Sequence, residues 1–187
     1  MKKFSSALKT LLFLTTIMLF TFSCSSDSGS DSDISVNIDN EVRTVYSLTN
    51  EFRTGSEAFY INQDNTTTTS VVGQLGTLTL DENLCRAATV RAREIVSNFS
   101  HTRPNGSDCF SVLAELGISH SAAGENIAAG NSSGQRTFLQ WKEDNENYSG
   151  QGHRRNMLGL NFTRIGIAYV YDASSTYKYY WVMILAR

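Results

Sequence analysis

Residues 164–185 read Arg-Ile-Gly-Ile-Ala-Tyr-Val-Tyr-Asp-Ala-Ser-Ser-Thr-Tyr-Lys-Tyr-Tyr-Trp-Val-Met-Ile-Leu, and the fold class turns on this stretch. Ile165, Ile167, Tyr169 and Tyr171 alternate with smaller or more polar residues, the period of a strand with one face on a core. After Asp172-Ala-Ser-Ser, the run Tyr177 to Leu185 is dense in Tyr, Trp, Val and Ile. Two β-rich runs around a short polar break predict an antiparallel hairpin.

Upstream, the period changes to that of helices. Val42, Val45, Tyr46, Thr49 and Phe52 recur at steps of three and four, which predicts a helix over 41–53 with Asn40 as N-cap. Gly55 to Gly76, with three glycines and a Thr-Thr-Thr-Thr-Ser run, reads as an irregular loop. Asp81 caps a second helix with Glu82 in its first turn. Its apolar stripe is Leu84, Ala88, Ile95 and Phe99, with Ala87 and Ala92 beside it; small residues there allow close packing on another layer. Arg86, Arg91, Arg93 and Glu94 read as its solvated face. Ser107 is placed to cap a short third helix that carries Phe110, Leu113 and Leu116 and stops at Gly117. Ser132 or Ser133 starts a fourth that ends after Trp141. Helices first and strands last indicate an α+β or layered sandwich architecture.

The N-terminus has another character. Lys2, Lys3 and Lys9 precede the apolar or Thr run Leu11 to Phe22, then Ser23 and Cys24. Twelve such residues are too short to cross a hydrocarbon core about 30 Å thick as a helix. They fit the apolar part of a signal peptide over residues 1–23. Thr21-Phe22-Ser23-Cys24 resembles a bacterial lipobox with a relaxed first position, and the resemblance implies cleavage before Cys24 and its lipidation; plain secretion is the alternative. Ser25 to Asp33 holds only Ser, Asp and Gly, so residues 24–35 read as a lipidated cysteine and a polar tether. One domain follows, over 36–187. A lipid anchor makes a membrane the first expected partner. The acidic leash beside the cysteine resembles surface-export signals of some Gram-negative lipoproteins, which points to the outer membrane.

Without residues 1–23 the chain has 13 Lys and Arg against 18 Asp and Glu, a net charge of −5. An acidic balance argues against nucleic acid as a partner. Cys85 and Cys109 remain as a pair; in an oxidising compartment they form a disulfide or stay as two buried thiols.

Of three histidines, His101 lies in Phe-Ser-His-Thr-Arg-Pro-Asn-Gly and His153 in Gly-Gln-Gly-His-Arg-Arg-Asn-Met-Leu. His120, between two serines, reads as a surface residue. Four segments in order, Leu80-Asp-Glu-Asn-Leu with Arg-Ala-Arg-Glu-Ile, Phe99-Ser-His-Thr-Arg-Pro-Asn-Gly, Ala123-Gly-Glu-Asn-Ile-Ala-Ala-Gly, and Trp141 followed by Gly152-His-Arg-Arg-Asn-Met-Leu, resemble the bacterial branch of the CAP superfamily, or SCP-like domains. Each motif is weak alone, and the order makes the signal. The resemblance implies an α–β–α sandwich with a small antiparallel sheet between helices. It also implies a cleft holding two histidines and two acids: His101, Glu125, His153 and, three residues after the helix tryptophan, Asp144, with Glu143 and Glu146 nearby. The stretch from Trp141 to His153 differs in length from that of relatives.

Two neutral imidazoles facing one cleft suit a borderline divalent metal, Zn²⁺ foremost, with His101 and His153 as ligands. Carboxylates behind them would fix tautomer and orientation. Gly124 and Gly152 read as tight turns that aim the next side chain, and Asn126 and Asn156 as ties between the cleft walls. There is no His-Glu-x-x-His, no Gly-x-Ser-x-Gly and no phosphate-binding glycine loop. Two functions follow from the resemblance. One is an envelope-tethered module that binds a lipid, glycan or protein. The other is a metal-assisted or general-base hydrolase of peptide or envelope polymer, with His101, Glu125 and His153 catalytic.

Overall fold

The structure is a computed structural model and describes residues 39–187; the signal segment, Cys24 and the Ser/Asp tether lie outside the described residues. The predicted hairpin is β5 (Arg164–Tyr171) and β6 (Tyr179–Ala186), paired antiparallel with Ile165 opposite Leu185 and Tyr169 opposite Trp181. On its far side β6 pairs antiparallel with β4 (Ala123–Ala129), and β5 pairs parallel with the two-residue β3 (Thr79–Leu80). The order is β3-β5-β6-β4: the three long strands form the expected small antiparallel sheet, and the two-residue β3 adds one parallel pairing at its edge.

β6 explains its own composition. Trp181, Met183 and Leu185 point into one core, and Tyr180, Val182, Ile184 and Ala186 into another. A strand covered on both faces reads as a continuous apolar run. The first core is closed by α1 (Asn40–Thr54), α4 (Gly134–Lys142) and α5 (Gly152–Met157) through Val45, Phe52, Phe138, Trp141 and Met157. The second is closed by α2 (Glu82–Ser97) and α3 (Ser111–Glu115) through Leu84, Ala88, Ile95 and Leu113. The fold is therefore an α–β–α sandwich.

The caps show what sequence reads well. Asp81 accepts from the Asn83 and Leu84 amides and starts α2, and Ser133 accepts from Arg136 to start α4. Gly117 adopts φ +66° just after α3. Three readings shift. Asp39, not Asn40, caps α1 by accepting from Val42 at 3.0 Å. Ser107 does not cap α3; its hydroxyl bonds Asn105 and Ser111. The loop 55–76 contains an antiparallel ribbon, β1 (Phe59–Ile61) with β2 (Thr68–Ser70). That ribbon is held from outside, because Arg154 donates to the carbonyls of Glu57 (2.9 Å) and Phe59 (2.5 Å). A local reading cannot register such a tie.

β4 is an edge strand whose free edge is covered. The Trp141 indole donates to the Ile127 carbonyl at 3.1 Å, and Asn156 donates to the Glu125 carbonyl at 3.2 Å. Helices α4 and α5 thereby close an edge that would otherwise template pairing with another chain, and bring their own residues beside Glu125.

Candidate functional site

Glu125 sits on β4, buried, with its side chain on the α2 side of the sheet. Its Oε1 meets His101 Nδ1 at 2.7 Å. Arg91 of α2 grips it with Nε on Oε2 at 2.8 Å and Nη2 on Oε1 at 3.3 Å. Arg91, itself fully buried, also donates to Glu94 (2.6 Å) and to the Ser100 carbonyl (2.8 Å), so it holds both the acid and the backbone next to His101. Glu94 in turn takes Arg103, whose other arm reaches Glu115. Burial pushes the Glu125 carboxyl up; the hydrogen bonds from His101 and Arg91 outweigh it and hold the group below its ordinary value.

A second pair faces the first. His153, the second residue of α5, meets Glu143 Oε1 through Nδ1 at 2.5 Å. Glu143 Oε2 accepts from the backbone amides of His153 (3.0 Å) and Arg154 (3.2 Å), so one carboxylate fixes both ring and helix start. Glu143 closes α4 in the left-handed region, φ 53°, where a non-glycine residue costs energy, and that turn aims it at α5. Asn126 donates to the His153 carbonyl (3.1 Å) and Asn156 to Asn126 (2.8 Å), which ties β4 to α5.

His101, Glu125, Glu143, His153, Arg155 and Asn156 line one cavity of about 460 Å³. Both rings spend Nδ1 on a carboxylate. Among the described residues neither Nε2 has a protein hydrogen-bond partner. An imidazole held by a carboxylate through Nδ1 carries, in its neutral form, the Nε2 lone pair that ligation of a metal or acceptance of a proton requires.

Residues 46–185 match the family described as CAP, the cysteine-rich secretory protein family. The chain belongs to the CAP family. Over 99 residues it is 33% identical to the uncharacterized protein YkwD of Bacillus subtilis (strain 168), a span of 52% of this chain and 36% of that relative. It thus covers about a third of the relative's length. In structure it is similar to an extracellular protein containing a SCP domain from Bacillus anthracis str. Ames: TM-score 0.56, 24% identity, 78% of this chain and 39% of that one. It is also similar to an outer surface protein from Borrelia burgdorferi: TM-score 0.59, 16% identity, 81% of this chain and 96% of that one. At these identities the structural likeness speaks for the CAP fold.

Within the CAP domain, three of the four expected cleft residues lie at one cavity: His101, Glu125 and His153. Asp144 does not line that cavity and makes no hydrogen bond to the His153 ring. It pairs with Arg154 (2.7 Å) and Lys142 (3.0 Å), and Glu143 takes the place expected of it. Counting from Trp141 fails here because α4 ends in a left-handed residue, which rotates position 143 toward α5. His120 is exposed, with only the Ile118 carbonyl near its ring.

Arg91, which the sequence pattern places on a solvated face, is instead buried under Glu125. Its spacing carried the signal: Arg91 is three after Ala88 and four before Ile95, both on the buried stripe. The glycine reading also changes. Gly124 lies inside β4, and a Cβ there would meet the Phe162 ring at 3.0 Å, so it makes room for a neighbour and forms no turn. A Cβ at Gly152 would meet nothing.

Cys85 and Cys109 are both buried and free, so the bridge is not formed. Cys85 lies near the start of α2 against the Ile167 backbone, six residues or about 9 Å of helix before Arg91. Cys109 lies at the Arg91–Glu125 end, its sulfur grouped within 4.8 Å with ligand atoms of His101 and Glu125. Burial, and then the Glu125 carboxylate, push its thiol up to about 12.

Proposed function

We propose that this CAP domain is an extracytoplasmic module, tethered to the cell envelope through a lipidated Cys24, whose cleft holds a divalent cation between His101 and His153 and binds a lipid, glycan or protein ligand. The observation that carries the cleft is the pair of imidazoles lining one cavity, each with Nδ1 on its own carboxylate and Nε2 open. Location is supported by the signal-like segment 1–23 that precedes Cys24 and by the similar structures, which come from proteins described as extracellular or outer surface. The outer membrane is the site this reading favours.

The donor set fits Zn²⁺. Imidazole nitrogen suits a borderline metal, and Glu125 and Glu143 are placed as the outer carboxylates that fix ligating histidines. Two protein ligands are one fewer than a catalytic zinc site commonly has, so His101 and His153 would hold such an ion with modest affinity and leave its remaining positions to water or ligand. A bound cation would act as a Lewis acid toward an oxygen of the ligand. The chain's own part is to orient both rings: Arg91 fixes Glu125, and the left-handed turn at Glu143 fixes His153. Calorimetric titration of the full-length protein with zinc chloride near neutral pH tests this. Wild type should take up one ion, and His101→Ala and His153→Ala should each abolish uptake. No binding at millimolar zinc would overturn the metal.

A second reading is favoured by the same dyads, since a His–Glu pair is also the arrangement of a general base. In it His101 or His153 takes a proton from water, and the substrate is a peptide or envelope polymer. Ser149 lines the cavity, but its hydroxyl donates to Asn147 and not to a histidine. Hydrolysis that survives metal removal and is lost in His101→Ala would replace the binding reading with this one.

A further inference from the structure

Three of the seven large apolar side chains exposed among the described residues gather at one end of the sandwich. Tyr171 (55% exposed) and Tyr177 (52%) flank the β5–β6 turn, and Phe99 (47%) stands beside Tyr177 just past α2. The apolar pattern places Phe99 on the buried stripe of α2; the helix ends at Ser97, and its ring instead packs 6.3 Å from Tyr177 and 6.5 Å from Tyr180. On the other face of the hairpin, half-buried Tyr179 lies 4.8 Å from Tyr171 and 6.4 Å from half-buried Tyr169. Aromatic rings therefore wrap both faces of one hairpin tip.

Two further features mark this end. The β5–β6 turn, from Asp172 to Lys178, carries one acid and one base and so no net charge, in a chain that is otherwise acidic. The tip also lies near where the described chain begins: the Asp39 carboxylate beside the Tyr169 hydroxyl pushes that phenol up to about 12. Fourteen residues lie between Cys24 and Asp39, a reach of at most about 50 Å.

We propose that the β5–β6 tip, with Phe99 beside it, rests in the lipid headgroup layer of the membrane that holds the anchor. The proposal rests on the Cys24 anchoring read above. Tyrosine suits this depth: its ring is apolar and its hydroxyl remains hydrated, which is why such rings concentrate at membrane–water interfaces. Asp172 and Lys178 offset each other, so the turn brings no net charge to the headgroup layer. A partner protein that used the patch would have to share it with a surface less than about 50 Å from the anchor, so the lipid surface is the occupant favoured here.

The test uses the full-length lipidated protein in phosphatidylethanolamine/phosphatidylglycerol vesicles that contain a headgroup-nitroxide lipid. A fluorophore is attached at Ala173→Cys in the tip or, for comparison, at Thr66→Cys in the β1–β2 turn. Flotation with the vesicles establishes anchoring first. The expected result is several-fold stronger quenching at 173 than at 66, reduced to the level at 66 by the combined substitutions Phe99→Ser, Tyr171→Ser and Tyr177→Ser while flotation persists. Equal quenching at both positions in floated protein overturns the headgroup contact and leaves the anchor standing. Protein that does not float overturns both.

Discussion

At the scale of single residues, Arg91 decides whether the cleft exists. Its guanidinium is the counter-charge of buried Glu125, the carboxylate that orients His101. Removing one partner of a buried pair leaves an uncompensated charge, so Arg91→Ala should cost about 3–5 kcal/mol in urea unfolding. The acid limb of the stability curve follows from the same network. Burial alone would raise Glu94 and Glu125, but their hydrogen bonds to Arg103, Arg91 and His101 hold both below the ordinary carboxylate value. A carboxyl depressed in the folded state contributes stability that is complete above its unfolded value and is lost as pH falls through the folded one. Urea midpoints should therefore hold at about pH 5 and above and drop below about pH 4.5, with a shallower fall in Glu94→Gln. The thiols give a second check. Denaturing alkylation without reductant should add two labels at Cys85 and Cys109, and native protein should react slowly because burial raises both groups. A mass two protons lower than the reduced form would reinstate the bridge.

At the scale of elements, the contact between α2 and the sheet depends on the absence of a side chain. A Cβ on Gly166 of β5 would stand 2.1 Å from the Leu84 carbonyl carbon and 2.4 Å from the Cys85 amide nitrogen. The helix backbone therefore lies directly on the strand, and Ala87, Ala88 and Ala92 keep the rest of that face thin. Gly166→Ala must lift α2, with a cost at or above the upper end of the usual 1–3 kcal/mol or so for overpacking. Because α2 carries Arg91, the same substitution should weaken zinc uptake along with the melting temperature. Undiminished stability would mean that the two layers separate more easily than this packing implies. The alanine stripe was legible in the sequence as a close-packing surface. Its partner Gly166 was not, because a glycine in an alternating strand does not announce what lies above it. β4 was missed for a related reason: Ala-Gly-Glu-Asn-Ile-Ala-Ala mixes polar and small residues, and it is a strand because β6 pairs with it and Trp141 and Asn156 cover its other edge.

At the scale of the whole molecule, two predictions separate anchoring from binding. Cys24→Ser should leave the chain unlipidated and shift it from the membrane to the soluble fraction, read by fractionation and intact mass. Zinc uptake should be unaffected, since the cleft residues lie between His101 and Asn156. Conversely, Glu125→Gln and Glu143→Gln should leave fractionation unchanged and weaken zinc about 10–100-fold, the usual effect of removing a carboxylate behind a ligating histidine. Acidification should release the metal, because protonated imidazole cannot ligate.

The hairpin, α1 to α4 within a turn or so, the sandwich class and three cleft residues, His101, Glu125 and His153, were all legible in the linear chain. These are carried by local information: periodicity, caps, and motifs whose order is linear. It took the folded molecule to establish that Glu143 and not Asp144 backs His153, that Arg91 is buried, that Cys85 and Cys109 lie apart, and that Phe99 is exposed beside two tyrosines. Each of these depends on where a side chain lands after the chain has turned. A single left-handed residue at 143, or a helix that stops two residues early, redirects a neighbour by several ångströms without changing the local pattern of apolar and polar residues.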